Sequence, residues 1–166
     1  MSATPTIRPY RATDRAATAL VFYRAIHEGT TSHYSAAQRA AWAPQATPDQ
    51  SKPHKLLDQW TWVSEEGGQI TGFMSLCKDG LLDMAFVIPE VMGTGTATAL
   101  YATLLARART ERLPRLTVDA SPYSHGFLLK HGWKVDWQGD RHYDGIAFYG
   151  YKMSLMLDPA PPSGVT

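Results

Sequence analysis

The sequence has little cysteine, no long apolar run and no excess of one charge. Its single cysteine, Cys77, excludes an internal disulfide and every metal site built from several cysteines. Unbroken apolar runs such as Met84–Ile88 are far shorter than the ~20 residues needed to span a bilayer. Lys and Arg number 16 and Asp and Glu 15, so no strong overall field attracts nucleic acid or anionic lipid. We therefore expect neither a nucleic-acid nor a membrane partner.

The length of 166 residues fits one domain, and 44% hydrophobic with 19% charged residues is typical of a globular protein. Met1–Pro5 carries neither the basic nor the apolar segment of a signal peptide, so we expect a cytoplasmic protein. We expect residues 1–157 to form the domain and the Pro-rich residues 158–166 to be a disordered tail.

Hydrophobic periodicity and turn residues predict the element order β-α-α-β-β-β-α-β-α-β-β. Strands are predicted at 4–11, 60–63, 70–77, 81–88, 116–118, 134–141 and 146–157. Helices are predicted from an N-cap at Thr13 or Asp14 to Gly29, at 36–42, at about 93–111 and at 121–130. This order indicates a mixed sheet with helices on both faces, of α+β or α/β character.

The glycine turn, defined here as Met92–Ala97, lies between an apolar strand and an amphipathic helix. Gly93 and Gly95 remove side chains where the helix begins, and free N–H groups with the positive end of the helix dipole favour a phosphate there. Thr94, Thr96 and Thr98 add hydroxyl donors. The alternative is an ordinary strand–turn–helix junction with glycines for steric reasons.

Two other phosphate-binding motifs can be compared with these letters. A nucleoside-triphosphate loop is excluded because no lysine follows either glycine. The dinucleotide-binding pattern Gly-x-Gly-x-x-Gly is closer: Gly93 and Gly95 match its first two glycines, and Thr98 stands at the third. Asp119 follows the next strand, where this pattern has an acid that binds the ribose. Its third glycine is missing, and the glycines begin four residues after the strand. An NAD(P)-linked oxidoreductase stays open as an alternative.

Two segments resemble the GNAT superfamily of acetyl-CoA-dependent N-acetyltransferases. Val87–Pro89 and the glycine turn are similar to the family's Gln/Arg-x-x-Gly-x-Gly/Ala signature after a V-x-P stretch, with Met92 as the leading residue. Val118–Ser121 and Phe127–Trp133 are similar to its strand ending in Ala-Ser and its F-Y-x-x-x-G-F helix. The resemblance covers about residues 5–155, and the order of elements matches throughout.

The resemblance implies an α+β (mixed α/β) fold with a central, mostly antiparallel, twisted sheet flanked by helices. It implies transfer of an acetyl group from acetyl-CoA to the amine of a small molecule, by direct attack in a ternary complex. Coenzyme A would place its pyrophosphate over the glycine turn and its pantetheine along the preceding strand. The cofactor-binding residues implied are Phe86, Val87, Ile88, Met92, Gly93, Thr94, Gly95, Thr96, Ala97, Ser121 and Phe127.

Acetyl transfer to an amine needs a proton acceptor and an oxyanion donor, and an acid assists the departing thiolate. By resemblance, a free backbone N–H near Val87 or Ile88 would serve the oxyanion. Asp83 is the candidate base, because burial among its apolar strand neighbours would raise its proton affinity. The alternative for Asp83 is a structural carboxylate satisfied in the adjacent Asp79–Gly80 turn.

The tyrosine of the family's F-Y-x-x-x-G-F helix is replaced here by Leu128. Tyr123, at the start of the same helix, is the candidate acid in its place, and the alternative is an aromatic ring that packs the helix N-terminus. Leu128 also leaves open a non-catalytic acyl-CoA-binding sensor. The six histidines include no pair at the spacing that puts two ligands on one helical face, so we predict no metal site.

In related folds the first two helices, the loop after them and the closing hairpin form the acceptor pocket. Here they contain His27, His33, Tyr34, Trp42, Trp60, Tyr143, Phe148, Tyr149 and Tyr151. Such a set suits a small, partly apolar acceptor, unless most of these rings belong to the core. Residues 1–60 hold seven basic and four acidic side chains, which argues against a polyamine or an aminoglycoside as acceptor. Related proteins frequently dimerise, so the resemblance allows a homodimer.

Overall fold

The computed structural model describes residues 4–157, so the predicted tail 158–166 lies outside the described residues. The strands are β1 (Thr6–Pro9), β2 (Trp60–Glu66), β3 (Gln69–Leu76), β4 (Leu81–Val87), β5 (Arg115–Ala120), β6 (Lys134–Tyr143) and β7 (Ile146–Met156). The helices are α1 (Arg15–Gly29), α2 (Ala36–Trp42), α3 (Lys55–Asp58), α4 (Thr96–Thr110) and α5 (Pro122–Lys130). Within the described residues, no helix has the length and apolar character to cross a membrane.

The described strands form one sheet in the order β1-β2-β3-β4-β5-β7-β6. Each neighbouring pair is antiparallel except β4 and β5, which are parallel. Helices cover both faces of the sheet. On one face, Phe86 of β4 contacts Phe22 of α1. The next residue of β4, Val87, pairs with Gly72 of β3, and this pair lies beside Leu100 of α4. Successive side chains of a strand point to opposite faces, so α1 and α4 lie on opposite sides. The predicted α+β class is confirmed.

Strands β4 and β5 separate after two residue pairs, Leu81 with Thr117 and Leu82 with Val118. The next residue of β4, Asp83, is a bulge, because Ser75 of β3 pairs with Met84 while Leu76 pairs with Leu82. A bulge bends its strand and increases the local twist, which turns β4 away from β5. The β4–β5 gap, between residues 83–87 and residues 119–120, is the main irregularity of the sheet.

The predicted elements occur in the predicted order, but the structure has one further helix and several of the boundaries differ. Helix α4 begins at Thr96, because Gly93 and Gly95 have φ angles of +75° and +94°, outside the helical region. Strand β2 continues from Val63 to Glu66, where it pairs with both β1 and β3. Helix α3 was not predicted, since a single turn shows no periodicity.

The N-termini of α1 and α2 are capped differently. Ser35 caps α2: its Oγ accepts the Gln38 N–H at 3.1 Å, and the Gln38 Oε1 accepts the Ser35 N–H at 2.8 Å. Asp14 precedes α1, but its side chain does not cap it. Its carboxylate instead accepts two hydrogen bonds from Arg8 of β1, both 2.9 Å, and one from the Arg11 N–H. Asp14 therefore occupies the predicted N-cap position without the expected side-chain hydrogen bond to the helix, and its carboxylate instead links β1 to the start of α1.

Candidate active site

A cavity of about 840 Å³ opens where β4 and β5 separate. Its walls come from α1, β4, the start of α5, the segment 44–56 and the β6–β7 hairpin. Of the predicted catalytic and cofactor-binding residues, it is lined by Asp83, Phe86, Ser121, Tyr123 and Phe127. The glycine turn does not line it, so the turn and the cavity are two separate parts of the candidate site.

The glycine turn is open to solvent. A methyl group added to Gly93 or Gly95 would meet no heavy atom within 4 Å. The Ala99 N–H donates to the Gly95 carbonyl and starts the helical ladder. The N–H groups of Thr96 and its next two neighbours therefore precede the ladder and are free to bind an anion.

The hydroxyls of Thr94 and Thr96, which the sequence suggests as phosphate donors, are already hydrogen-bonded within the protein. The Thr94 hydroxyl donates to the Val91 carbonyl at 2.6 Å, and the buried Thr96 hydroxyl donates to Glu66 at 3.3 Å. These bonds hold the turn in shape. The backbone N–H groups remain as its donors for a phosphate.

The backbone of β4 reaches the gap at Val87. The Ile88 N–H donates to the Thr71 carbonyl at 2.9 Å on the β3 side, so Ile88 does not offer the free oxyanion donor that the resemblance implies. Backbone groups alternate sides along a strand, so those of Val87 face the β4–β5 gap. The Val87 carbonyl accepts the Tyr123 hydroxyl at 3.4 Å, in agreement with that direction. Val87 is therefore the donor that fits the expectation.

The position of Tyr123 fits both of the alternatives given for it. Its ring packs nearly parallel to Phe86, with centroids 6.4 Å apart, while its hydroxyl lies at the β4–β5 gap. Burial raises the pKa of Tyr123. The hydroxyl is thus protonated at neutral pH and can donate. Leu128, at the family's usual tyrosine position, is 3% exposed and supplies no proton.

Asp83 is held by two side chains from the segment before β2. Lys55 Nζ lies 2.9 Å from its Oδ2, and Gln59 Nε2 donates to the same oxygen at 2.9 Å. The sequence suggests a carboxylate surrounded by apolar neighbours, whereas Asp83 is paired with Lys55. The alternative role in the preceding turn is wrong, since there it is Asp79 that accepts the Leu81 N–H, at 3.1 Å.

Asp83 and Tyr123 mark opposite ends of the β4–β5 gap. Four residues of extended strand separate Asp83 from Val87, a span of about 13 Å. The two side chains cannot both touch one reacting carbon. A role for both in one reaction needs a water between Asp83 and the amine.

Five rings form an aromatic wall on one side of the cavity. They meet edge to face with centroids 4.9 to 6.3 Å apart. The aromatic wall consists of Phe22, Tyr34, Trp42, Phe86 and Phe148. Burial raises the pKa of Tyr34 to about 12, and its hydroxyl donates to the Tyr149 carbonyl at 3.0 Å.

Of the nine side chains predicted for the acceptor pocket, Tyr34, Trp42, Tyr143, Phe148 and Tyr149 line the cavity. Four others have different environments: His27 bonds the Ala43 carbonyl, His33 is exposed, Trp60 lies under Arg107, and Tyr151 stacks on His125. Sequence reasoning missed Phe22. Apolar residues surround much of α1, so periodicity alone could not tell its cavity face from its other faces.

The dinucleotide alternative depended on Asp119 as a free acid. Its carboxylate lies 3.1 Å from Arg141 Nη1, in an ion pair on the cavity wall. Within residues 4–157, no group of three His, Cys, Asp or Glu side chains could hold a metal ion.

Comparisons with known proteins place the chain in a family. The family model described as an acetyltransferase (GNAT) domain matches residues 30–155. The uncharacterized N-acetyltransferase YafP of Escherichia coli K12 is 34% identical over 130 residues, which cover 78% of this chain and 81% of YafP.

Solved structures agree with this placement. A GCN5-related N-acetyltransferase from Rhodopseudomonas palustris has a TM-score of 0.86 at 32% identity, over 95% of this chain and 98% of that one. The PaiA N-acetyltransferase of Thermoplasma acidophilum, solved with coenzyme A, shares the fold with a TM-score of 0.75 at 14% identity, over 93% of this chain and 99% of that one. The matching family model and the two relatives above 30% identity show that the chain belongs to the GNAT family of acetyltransferases, enzymes that use acetyl-CoA as co-substrate and act on amine acceptors.

Proposed function

We propose that the chain transfers an acetyl group from acetyl-CoA to the amine of a small molecule, by direct attack within a ternary complex. The observation that carries the proposal is the β4–β5 gap, which has the glycine turn at one side and the cavity at the other. The glycine turn would hold the pyrophosphate, and the gap beside Phe86 and Val87 would hold the pantetheine. The acceptor would enter from the cavity.

The residues at the gap fit the needs of acyl transfer. The amine nitrogen forms a bond to the thioester carbon, and the carbonyl electron pair moves to oxygen, where the Val87 N–H donates. The carbon–sulfur bond then breaks, and the protonated Tyr123 donates to the departing thiolate. The proton lost by nitrogen passes through water to Asp83, which releases it to solvent, and solvent returns a proton to Tyr123.

The test begins with binding. We expect acetyl-CoA and CoA to raise the melting temperature, because a ligand at 100 times its Kd stabilises a protein by about 2.7 kcal/mol, equivalent to several degrees in a domain of this size. NADH is the control for the dinucleotide alternative, and a shift with NADH alone would contradict the proposal.

Turnover is then measured as CoA release across a panel of small amines, with the acetylated product identified by mass. We expect release with at least one amine of the panel. Binding of acetyl-CoA with no release for any amine would instead support the acyl-CoA sensor.

A further inference from the structure

Each carboxylate that lines the cavity, among the described residues, is already paired with a cation. These three carboxylates are Asp49, Asp83 and Asp119. Each faces a cation of the same wall, with N···O distances of 3.8, 2.9 and 3.1 Å to Lys52, Lys55 and Arg141 respectively.

A fourth cation, Arg15, donates to the carbonyls of Asp49 and Lys52 and to the Gln50 side chain. The lining thus carries one more of these cations than carboxylates. A protonated amine that entered would lose its hydration and find no free carboxylate, which is unfavourable. An amine that is uncharged at neutral pH avoids this penalty.

The aromatic wall adds a shape requirement. Flat rings pack favourably against other rings, either edge to face or offset. Phe86 belongs to the wall and is also the residue before Val87 on β4. A ring seated on the wall beside Phe86 would therefore present a substituent to the β4–β5 gap.

We propose that the acceptor is a small aromatic amine whose amino group is attached directly to the ring; this inference rests on the proposed function and narrows its substrate. In such an amine the nitrogen lone pair is shared with the ring, so the group is uncharged at neutral pH. An alkylamine resembles the lysine side chain, with a pKa of about 10.4, and is protonated. The nitrogen of an aromatic amine becomes acidic once it has bonded to the thioester carbon. An ion-paired carboxylate such as Asp83 is then a sufficient base, through water.

The experiment compares two isomers, para-toluidine and benzylamine, with cyclohexylamine and spermidine as further acceptors. CoA release and product mass are measured at neutral pH with saturating acetyl-CoA. We expect kcat/KM for para-toluidine to exceed that for benzylamine about tenfold or more, a difference typical of one altered group in an apolar pocket.

Two failures are distinguishable. Absence of any melting-temperature shift with acetyl-CoA overturns the proposed function and this inference together. Binding of acetyl-CoA with benzylamine, cyclohexylamine or spermidine used as well as or better than para-toluidine overturns the aromatic-amine inference alone. Binding of acetyl-CoA with no release of CoA for any acceptor overturns both.

Variants locate the effect on the aromatic wall. Trp42→Leu should raise the KM for para-toluidine about tenfold without changing the Kd of acetyl-CoA, and Trp42→Phe should restore most of the affinity. Trp60→Leu is the matched control, because Trp60 is similarly half-buried but lies outside the cavity. Equal effects of Trp42→Leu and Trp60→Leu on this KM would overturn the proposed seat of the ring.

Discussion

The Tyr123 hydroxyl lies at the β4–β5 gap, in surroundings that keep it protonated. Removing it with Tyr123→Phe retains the ring and its packing on Phe86. On the proposed mechanism we expect kcat to fall about 10²-fold, the lower end of the usual range for acid catalysis, with little change in the KM for acetyl-CoA. Steady-state kinetics test this. The control is Tyr23→Phe, which removes a hydroxyl that lies outside the cavity. If kcat is unchanged in Tyr123→Phe, the ring of Tyr123 has only its packing role.

Asp83 is the second residue whose role a conservative change tests. Asp83→Asn keeps the shape of the side chain and removes its charge, and we expect kcat to fall about tenfold or more because the water-mediated base is lost. Lys55→Met leaves the carboxylate in place and should keep kcat within a few-fold. Asp79→Asn, in the neighbouring turn, is the matched control. A larger loss of kcat in Lys55→Met than in Asp83→Asn would contradict the role of Asp83 as a base and would show that activity depends on the ion pair.

The sequence could identify Asp83 and Tyr123 as candidates but not their surroundings. Both were singled out by residue type and by position on an element, which are local properties. The partners of Asp83 are 24 and 28 residues away, on a segment without periodicity. The Val87 contact of Tyr123 depends on how β4 and β5 separate, and no sequence pattern records that.

At the scale of elements, the glycine turn and α4 form the anion-binding junction. Gly95 has φ +94°, so Gly95→Ala is strained by about 1–2 kcal/mol and places a methyl group beside the free N–H groups. We expect a lower melting temperature and weaker binding of acetyl-CoA. Calorimetric titration and thermal unfolding measure the two effects.

Gly132→Ala is the matched control for the turn. Gly132 has φ +87°, after the end of α5, and a methyl group there would meet only Leu155 at 3.9 Å. Its backbone strain should therefore lower the melting temperature similarly while the Kd of acetyl-CoA stays unchanged. Equal weakening of acetyl-CoA binding in both variants would contradict a specific role for the glycine turn.

Element order could be predicted because each long element carries its own period, caps and turn glycines. The capping box of α2 and the Asp144–Gly145 hairpin are local signals of this kind. The single-turn helix α3 and the later end of β2 carry no such signal. Pairing with β1 and β3 extends β2 to Glu66, and that pairing exists only in the folded sheet.

For the whole molecule, the Arg8–Asp14 pair links stability to pH. Hydrogen bonds from Arg8 lower the pKa of the buried Asp14 carboxyl. Because the pKa of this carboxyl is lower in the folded than in the unfolded protein, its ionisation stabilises the fold. This stability is complete above the unfolded-state pKa of about 3.9, and it is lost as the pH falls through the folded-state pKa. We expect Asp14→Asn to lower the free energy of unfolding by about 2 kcal/mol at pH 7, and by much less in strong acid.

Urea unfolding at neutral and acidic pH measures this difference. Asp136→Asn is the control, because Asp136 forms only exposed pairs with Arg115 and Lys134 at 3.6 and 3.7 Å. Its change should stay below about 1 kcal/mol. A deficit in Asp14→Asn that is the same at both pH values would contradict the proposed linkage.

The two pairs that join β4 to β5 divide the sheet into a half containing β1–β4 and a half containing β5–β7. Strand pairing in the sheet is thus sparsest along the line where the protein is proposed to work. A pantetheine arm bound in the β4–β5 gap would contact both halves and stiffen the connection between them. Each release of CoA would remove this arm from the gap. The sheet would therefore stiffen and relax once in every turnover.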